Sequence, residues 1–113
     1  MNSIVNIEIS GKLLILKTQG YLNKDLGEEI LEVSKTNIGQ GVNKVIINLE
    51  HSNIVNSIGA SILIELIEEL QEVDGSLAFC SLTPIVEKTF NIMGLTKYCA
   101  TYDSQETAVQ AMA

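Results

Sequence analysis

Apolar and polar residues alternate at the start of the chain. Val5, Ile7 and Ile9 are separated by polar residues, which is the two-residue period of a half-buried strand. A turn at residues 10–11 and an apolar run over residues 13–17 follow. This order predicts an antiparallel hairpin at one side of a sheet.

The spacing then becomes helical. Leu26, Ile30 and Val33 fall on one face of a predicted first helix, because apolar residues three or four positions apart share a helix face. Asn23 is expected to cap its start, and Gly39 to supply the left-handed residue that ends it.

A central strand and the most apolar helix come next. Residues 45–49 carry apolar side chains on both faces, as expected of a strand in the middle of a covered sheet. A second helix is predicted over residues 57–73, and the segment from Glu50 to Asn56 predicts the loop before it. Residues 77–80 predict a further buried strand.

The last third of the chain predicts two more helices around an edge strand. Thr83-Pro84 places a capping hydroxyl before a first-turn proline, and Gly94 is expected to end that helix. Residues 98–102 predict the edge strand, and Asp103 with Glu106 resembles a capping box for a short final helix.

The predicted element order is therefore ββαβαβαβα. This order predicts an α/β fold with a mixed sheet, whose later strands are parallel and whose helices pack mainly on one face. The 113 residues, 46% of them hydrophobic, fit one domain over residues 1–113 that needs no disulfide or metal for stability.

The charge balance argues against nucleic acid as a partner. Fourteen acidic residues face seven basic ones, all of them Lys, and the net charge is -7. Binding to a phosphate backbone depends on clustered positive charge and often on the Arg fork, which this chain lacks.

The chain is expected to be a soluble cytoplasmic protein with no membrane partner. No signal-peptide pattern opens it, and Ser61 and Glu65 interrupt its longest apolar stretch. Cys80, Cys99 and the single His51 lack the spacing of metal ligands, so we expect buried, reduced thiols, no metal and no cofactor.

The start of the second helix is the candidate site. In sheets of this kind, ligands and partners bind at the carboxyl ends of the strands, and there Ser57 enters the first turn of a helix. Its hydroxyl could accept a phosphate, which a helix N-terminus tolerates. The simpler interpretation is that Ser57 or Asn56 only caps the helix.

The segment Ile54–Leu63 resembles the central motif of STAS domains, the family of bacterial anti-sigma-factor antagonists. Segments 20–23, 94–95, 102–103 and 106–108 are similar to other parts of the same family pattern, so the resemblance covers the whole chain.

The resemblance implies a protein switch that is not an enzyme. In the family, a serine kinase that is also the anti-sigma factor phosphorylates the serine matched here by Ser57, and a metal-dependent serine phosphatase resets it. Asn56 stands where the family usually has Asp, Ile58 replaces a small hydroxyl residue and Ser61 replaces a common Gly. A nonphosphorylated scaffold of the same fold therefore stays open as an alternative.

A small serine hydrolase is a distant alternative, because His51 and Ser57 are close in the sequence. However, the Gly-x-Ser-x-Gly elbow typical of many such enzymes is missing.

Acidic residues form two stripes with helical spacing: Asp25, Glu28, Glu29 and Glu32 on the first helix, and Glu65, Glu68, Glu69 and Glu72 on the second. Such stripes are usually solvated faces, but the first could meet a basic partner surface and speed docking.

The residues expected to carry the switch and contact the partner are Asn23, Asn53, Asn56, Ser57, Ile58, Gly59, Glu28 and Glu32.

Overall fold

The computed structural model describes residues 2–112. Its strands are β1 (Ser3–Ser10), β2 (Leu13–Leu22), β3 (Lys44–Val55), β4 (Ser76–Cys80) and β5 (Ala100–Tyr102). Its helices are α1 (Lys24–Ile38), α2 (Ser57–Gln71), α3 (Pro84–Met93) and α4 (Gln105–Met112), with a single 3-10 turn at Leu95–Lys97. The predicted α/β class and element order are confirmed.

The strands form one sheet in the order β1-β2-β3-β4-β5. β1 is antiparallel to β2, and the other neighbouring pairs are parallel. The larger apolar core lies under α1, α2 and α3, and a smaller cluster lies under α4. The helices therefore pack mainly on one face, as predicted. No helix within residues 2–112 combines the length and apolar character needed to cross a bilayer.

Both thiols lie inside the fold. Cys80 and Cys99 are buried and unpaired with each other, which confirms their predicted burial. Burial raises the pKa of the Cys99 thiol to about 12, and it also raises the pKa of Cys80. Both side chains therefore act as small apolar groups of the core.

The apolar residues of β1 are not half-buried as their alternation predicted. Val5, Ile7 and Ile9 are 47%, 49% and 57% exposed. β1 is the edge of the sheet, and α1 reaches only its first end, where Ile4 packs against the larger core. The alternation predicted the strand correctly, but it did not predict how little of the strand is buried by the helices.

The predicted loop from Glu50 to Asn56 is wrong. β3 continues to Val55, because β2 also continues to Leu22 and gives it a partner. Register shifts between Lys17 and Tyr21 absorb the extra residues of β3. In this extension the buried hydroxyls of Thr18 and Ser52 lie 2.7 Å apart and hydrogen-bond to each other.

Two predicted helix ends also differ. Gly39 has an ordinary helical φ of -62°, and the left-handed residue is Gly41, with φ of 108°. α4 is capped by Ser104, whose hydroxyl accepts the Thr107 N–H at 3.1 Å, rather than by Asp103.

The ends of α3 agree with the prediction. The Thr83 hydroxyl accepts the Val86 N–H, and Gly94 is left-handed with φ of 82°. The edge strand starts at Ala100, later than predicted, because the Tyr98 and Cys99 N–H groups donate back to the Leu95 carbonyl of the 3-10 turn.

Glycines hold α2 against backbone at both ends. A Cβ on Gly59 would overlap the Leu22 carbonyl, and a Cβ on Gly75, just after the helix, would overlap the Asn43 carbonyl. Only a residue without a side chain fits at either place.

Candidate functional site

Helices α1 and α2 begin side by side. Leu22 and Val55, the last residues of β2 and β3, are paired in the parallel ladder. The Asn56 N–H donates to the Leu22 carbonyl at 3.1 Å, which ties the two junctions together. Both helix N-termini therefore face the same end of the sheet, where partner sites are expected.

An asparagine caps each of these helices. The Asn23 side-chain oxygen accepts the Leu26 N–H at 3.2 Å, and the Asn56 oxygen accepts the Gly59 N–H at 2.8 Å. Of the two residues considered for the α2 cap, Asn56 therefore has that role. Ser57 is the first helical residue.

The Ser57 hydroxyl is open to solvent. Ser57 is an exposed residue, and no group within residues 2–112 hydrogen-bonds to its hydroxyl. The Ser57 carbonyl is engaged, since it accepts the Ser61 hydroxyl at 2.7 Å. The first turn of α2 has no acidic residue, so the positive end of the helix dipole is not already neutralised there.

Gly59 fixes the start of α2 against the preceding junction. Its backbone leaves no room for a Cβ beside Leu22 and Asn23, and a Cβ on Gly27 of α1 would lie 3.4 Å from the Gly59 carbonyl oxygen. The position of Ser57 is thus set by backbone contacts rather than by mobile side chains.

Exposed apolar side chains lie at the strand ends and at the helix start on either side of the serine. Tyr21, Ile54 and Ile58 are 37%, 59% and 53% exposed, and Tyr21 and Ile54 are cross-strand neighbours. Asn53 is also exposed and lines a shallow hollow with Tyr21 and Ile54. We call Tyr21, Asn53, Ile54, Ser57 and Ile58 the Ser57 surface.

Tyr21 was missed because the second apolar run ends at residue 17, and Ile54 because the segment before Ser57 resembled a loop. The signal that could have identified Ile54 is the β-branched pair Ile54-Val55, which is more typical of a strand than of a polar turn.

The residues of the first acidic stripe differ in exposure and in their contacts. Glu28 and Glu32 are exposed, and Glu28 lies 3.7 Å from the Lys24 ammonium, a solvent-exposed pair of small energy. Glu29 instead accepts the Ile4 N–H at 2.6 Å. In the second stripe, Glu69 pairs with Lys35 of α1 at 3.5 Å.

The structure does not assemble a serine–histidine pair. His51 lies four positions before the last residue of β3, which corresponds to roughly 13 Å of extended chain, and Ser57 comes only after that strand. The imidazole Nε2 lies 3.9 Å from a carboxylate oxygen of Glu50. A general base needs hydrogen-bond reach of its nucleophile, and this geometry does not provide it.

A family model for the STAS domain matches residues 2–108. The chain belongs to the STAS domain family. This STAS domain is 26% identical over 99 residues to BtrV of Bordetella bronchiseptica, a candidate anti-sigma factor antagonist, and the match covers 88% of this chain and 85% of BtrV.

Two solved structures share the fold of this STAS domain. A candidate anti-sigma factor antagonist from Thermotoga maritima superposes with a TM-score of 0.85 at 18% identity, covering 95% of this chain and 92% of that one. The Bacillus cell fate determinant SpoIIAA, in its phosphorylated form, superposes with a TM-score of 0.77 at 23% identity, covering 96% and 98%.

Proposed function

We propose that this STAS domain is a bacterial anti-sigma-factor antagonist whose switch is phosphorylation of Ser57. Residues 1–113 act as one domain, in the cytoplasm, as a protein-interaction module without catalytic activity of its own. The similarity to BtrV supports the role. The observation that carries the switch is the exposed, unengaged hydroxyl at the first position of α2.

A phosphate on Ser57 is compatible with the fold. It would add about -1.5 to -2 charges beside backbone N–H groups of the first turn, where an anion is worth roughly 0.3 to 1 kcal/mol. The phosphate would therefore act on partner binding. A hydrated dianion on Ser57, which lies between Ile54 and Ile58 in the sequence, would oppose the burial of these two side chains by a partner.

The partner is a serine kinase that also acts as the anti-sigma factor, and a metal-dependent serine phosphatase restores the free hydroxyl. The Ser57 surface supplies apolar contact area, while Asn23, Asn56 and Gly59 hold it in place. Glu28 and Glu32 lie on the neighbouring helix, and with a net charge of -7 they would favour a basic partner face and speed its approach.

The decisive experiment incubates the protein with ATP and the serine kinase from the same cell, then measures intact mass and locates the modified residue. We expect one added phosphate on the wild type and none on Ser57→Ala. Ser61→Ala is the matched control, because Ser61 is an exposed serine one turn later, and it should be phosphorylated like the wild type. Phosphate on Ser57→Ala would contradict the assignment.

A nonphosphorylated scaffold is the second candidate function. It is favoured by the exposure of Ile58, which enlarges the apolar surface beside the serine, and by the neutral Asn56 cap in place of an acidic one. For a scaffold, the kinase would leave the wild type unmodified, while the wild type and Ser57→Ala would bind the partner equally well.

A further inference from the structure

Among residues 2–112, no strand pairs with the outer edge of β1. β1 is the terminal strand next to β2, and Val5, Ile7 and Ile9 are all about half exposed. Ile7 and Ile9 are paired with Leu16 and Leu14, so they share the face on which α1 packs. A long, apolar and uncovered edge strand is a template for pairing with another strand.

The first end of β1 is closed to such pairing. The register shifts between Ile4 and Asn6, and the Ile4 N–H already donates to the Glu29 carboxylate at 2.6 Å. An irregularity and a carboxylate of this kind protect an edge. The open part of the strand is therefore centred on Ile7.

We propose that a second copy of this chain pairs with β1, antiparallel and across a two-fold axis, with Ile7 opposite Ile7 of the second copy. A two-fold interface brings the same patch of both copies together. In this register Asn6 lies opposite Glu8, and the regular part of the pairing ends before the irregularity at Val5. The Asn6 amide already donates to Glu8 within one strand, at 3.2 Å, so the same two groups can pair between copies.

Other registers are worse. A shift that centres the axis on Glu8 places two like charges opposite each other, which destabilises a strand pair. A shift that centres it on Asn6 sets Glu8 opposite Ile4. A shift by half a step places apolar residues opposite polar ones. The sequence of β1 is thus self-complementary about Ile7, which is why we choose a second copy as the occupant.

The association should be weak and dependent on salt. A single pair of short strands buries less than the roughly 1,200 Å² at the low end of stable interfaces. Each copy also carries a net charge of -7, so repulsion opposes pairing and salt should relieve it.

Cysteine cross-linking tests the register. Only a residue at the two-fold axis faces its own copy, so Ile7→Cys should form a disulfide-linked dimer under mild oxidation. Opposed Cα atoms are roughly 4.5 to 5.5 Å apart, within the range of a disulfide. Asn6→Cys and Glu8→Cys should each stay monomeric alone and cross-link when mixed. Preferential linkage of Glu8→Cys to itself, or no linkage at any of these positions, would overturn the proposal.

Sedimentation velocity over a concentration series supplies a second measurement. The wild type should show a dimer that increases with concentration and with salt, and Ile7→Lys should abolish it. Ile92→Lys is the control, because Ile92 is 75% exposed on α3, away from β1, and it should dimerise like the wild type. Equal loss in both variants, or a wild type that is monomeric throughout, would contradict β1 pairing. Ser57→Ala should dimerise normally, so this outcome is independent of the phosphorylation test.

Discussion

Helices α1 and α2 start with the same construction but present different chemistry. Each follows a parallel strand, and each is capped by an asparagine, Asn23 or Asn56. After the cap, α1 continues with the charged Lys24-Asp25, whereas α2 continues with Ser57-Ile58. The cap therefore fixes the geometry of a helix start, while the next two residues decide whether it is an ordinary solvated end or a candidate site.

Among the variants, glycine substitutions should give the largest difference in unfolding free energy between the start of α1 and the start of α2. Gly59→Ala should lower the free energy of unfolding by about 3 kcal/mol or more, because its methyl group would overlap Leu22 backbone and overpacking is costly where backbone cannot yield. Gly27→Ala should lower it by less than Gly59→Ala does, since its methyl group would meet Ile62 side-chain atoms at 3.1 and 3.2 Å rather than overlap a backbone carbonyl, and alanine favours the helix. Urea titration measures both, and equal effects would contradict the asymmetry.

Removal of either cap should have similar, smaller effects. Asn56→Ala and Asn23→Ala should each destabilise the protein by about 1 kcal/mol, because a first-turn N–H loses its acceptor. Asn56→Asp should keep full stability, since a carboxylate accepts the same bond and suits the helix dipole. Thermal unfolding of the three variants checks this, and a neutral Asn56→Ala would mean that the cap does not hold α2.

An added charge should act differently on stability and on binding. Ser57→Asp should leave the free energy of unfolding unchanged or raise it by up to about 1 kcal/mol, because α2 has no acidic residue in its first turn. The same variant should bind the anti-sigma factor more weakly. Ser61→Asp is the control, and calorimetric titration should show it binding more tightly than Ser57→Asp. Equal affinity of the two variants for the partner would show that Ser57 does not lie in the contact.

Neutralising the exposed acids of α1 should have the smallest effect on the fold. Glu28→Gln with Glu32→Gln should change the unfolding free energy by less than about 0.5 kcal/mol and slow association with the partner at low salt. Glu68→Gln with Glu72→Gln makes the same charge change on α2 and its C-cap residue. Stopped-flow rates should distinguish the pairs, and identical on-rates at low salt would assign no steering role to α1.

Much of the fold could be predicted because local signals agreed with the final packing. Thr83-Pro84 and Gly94 limited α3 correctly, and Asn23 and Asn56 are standard cap residues in cap positions. These signals act within a few residues, so neighbouring elements do not override them.

The errors arose where distant parts of the chain decide the outcome. β3 passes through Glu50 and His51 because β2 is long enough to pair with it, and the buried Thr18–Ser52 pair joins residues 34 positions apart. The exposure of Ile7 depends on how far α1 extends over the sheet. No local period contains this information, so the Ser57 surface was only partly predictable.

The glycine contacts near the two ends of α2 also restrict how this helix can move. Gly59 abuts the Leu22 carbonyl and Gly75, four residues after α2, abuts the Asn43 carbonyl, so a shift of α2 toward either carbonyl would press backbone against backbone. A conformational change that moves α2 toward either carbonyl is therefore obstructed. On the proposed function, a phosphate on Ser57 would therefore act on a protein that contacts that end of the sheet.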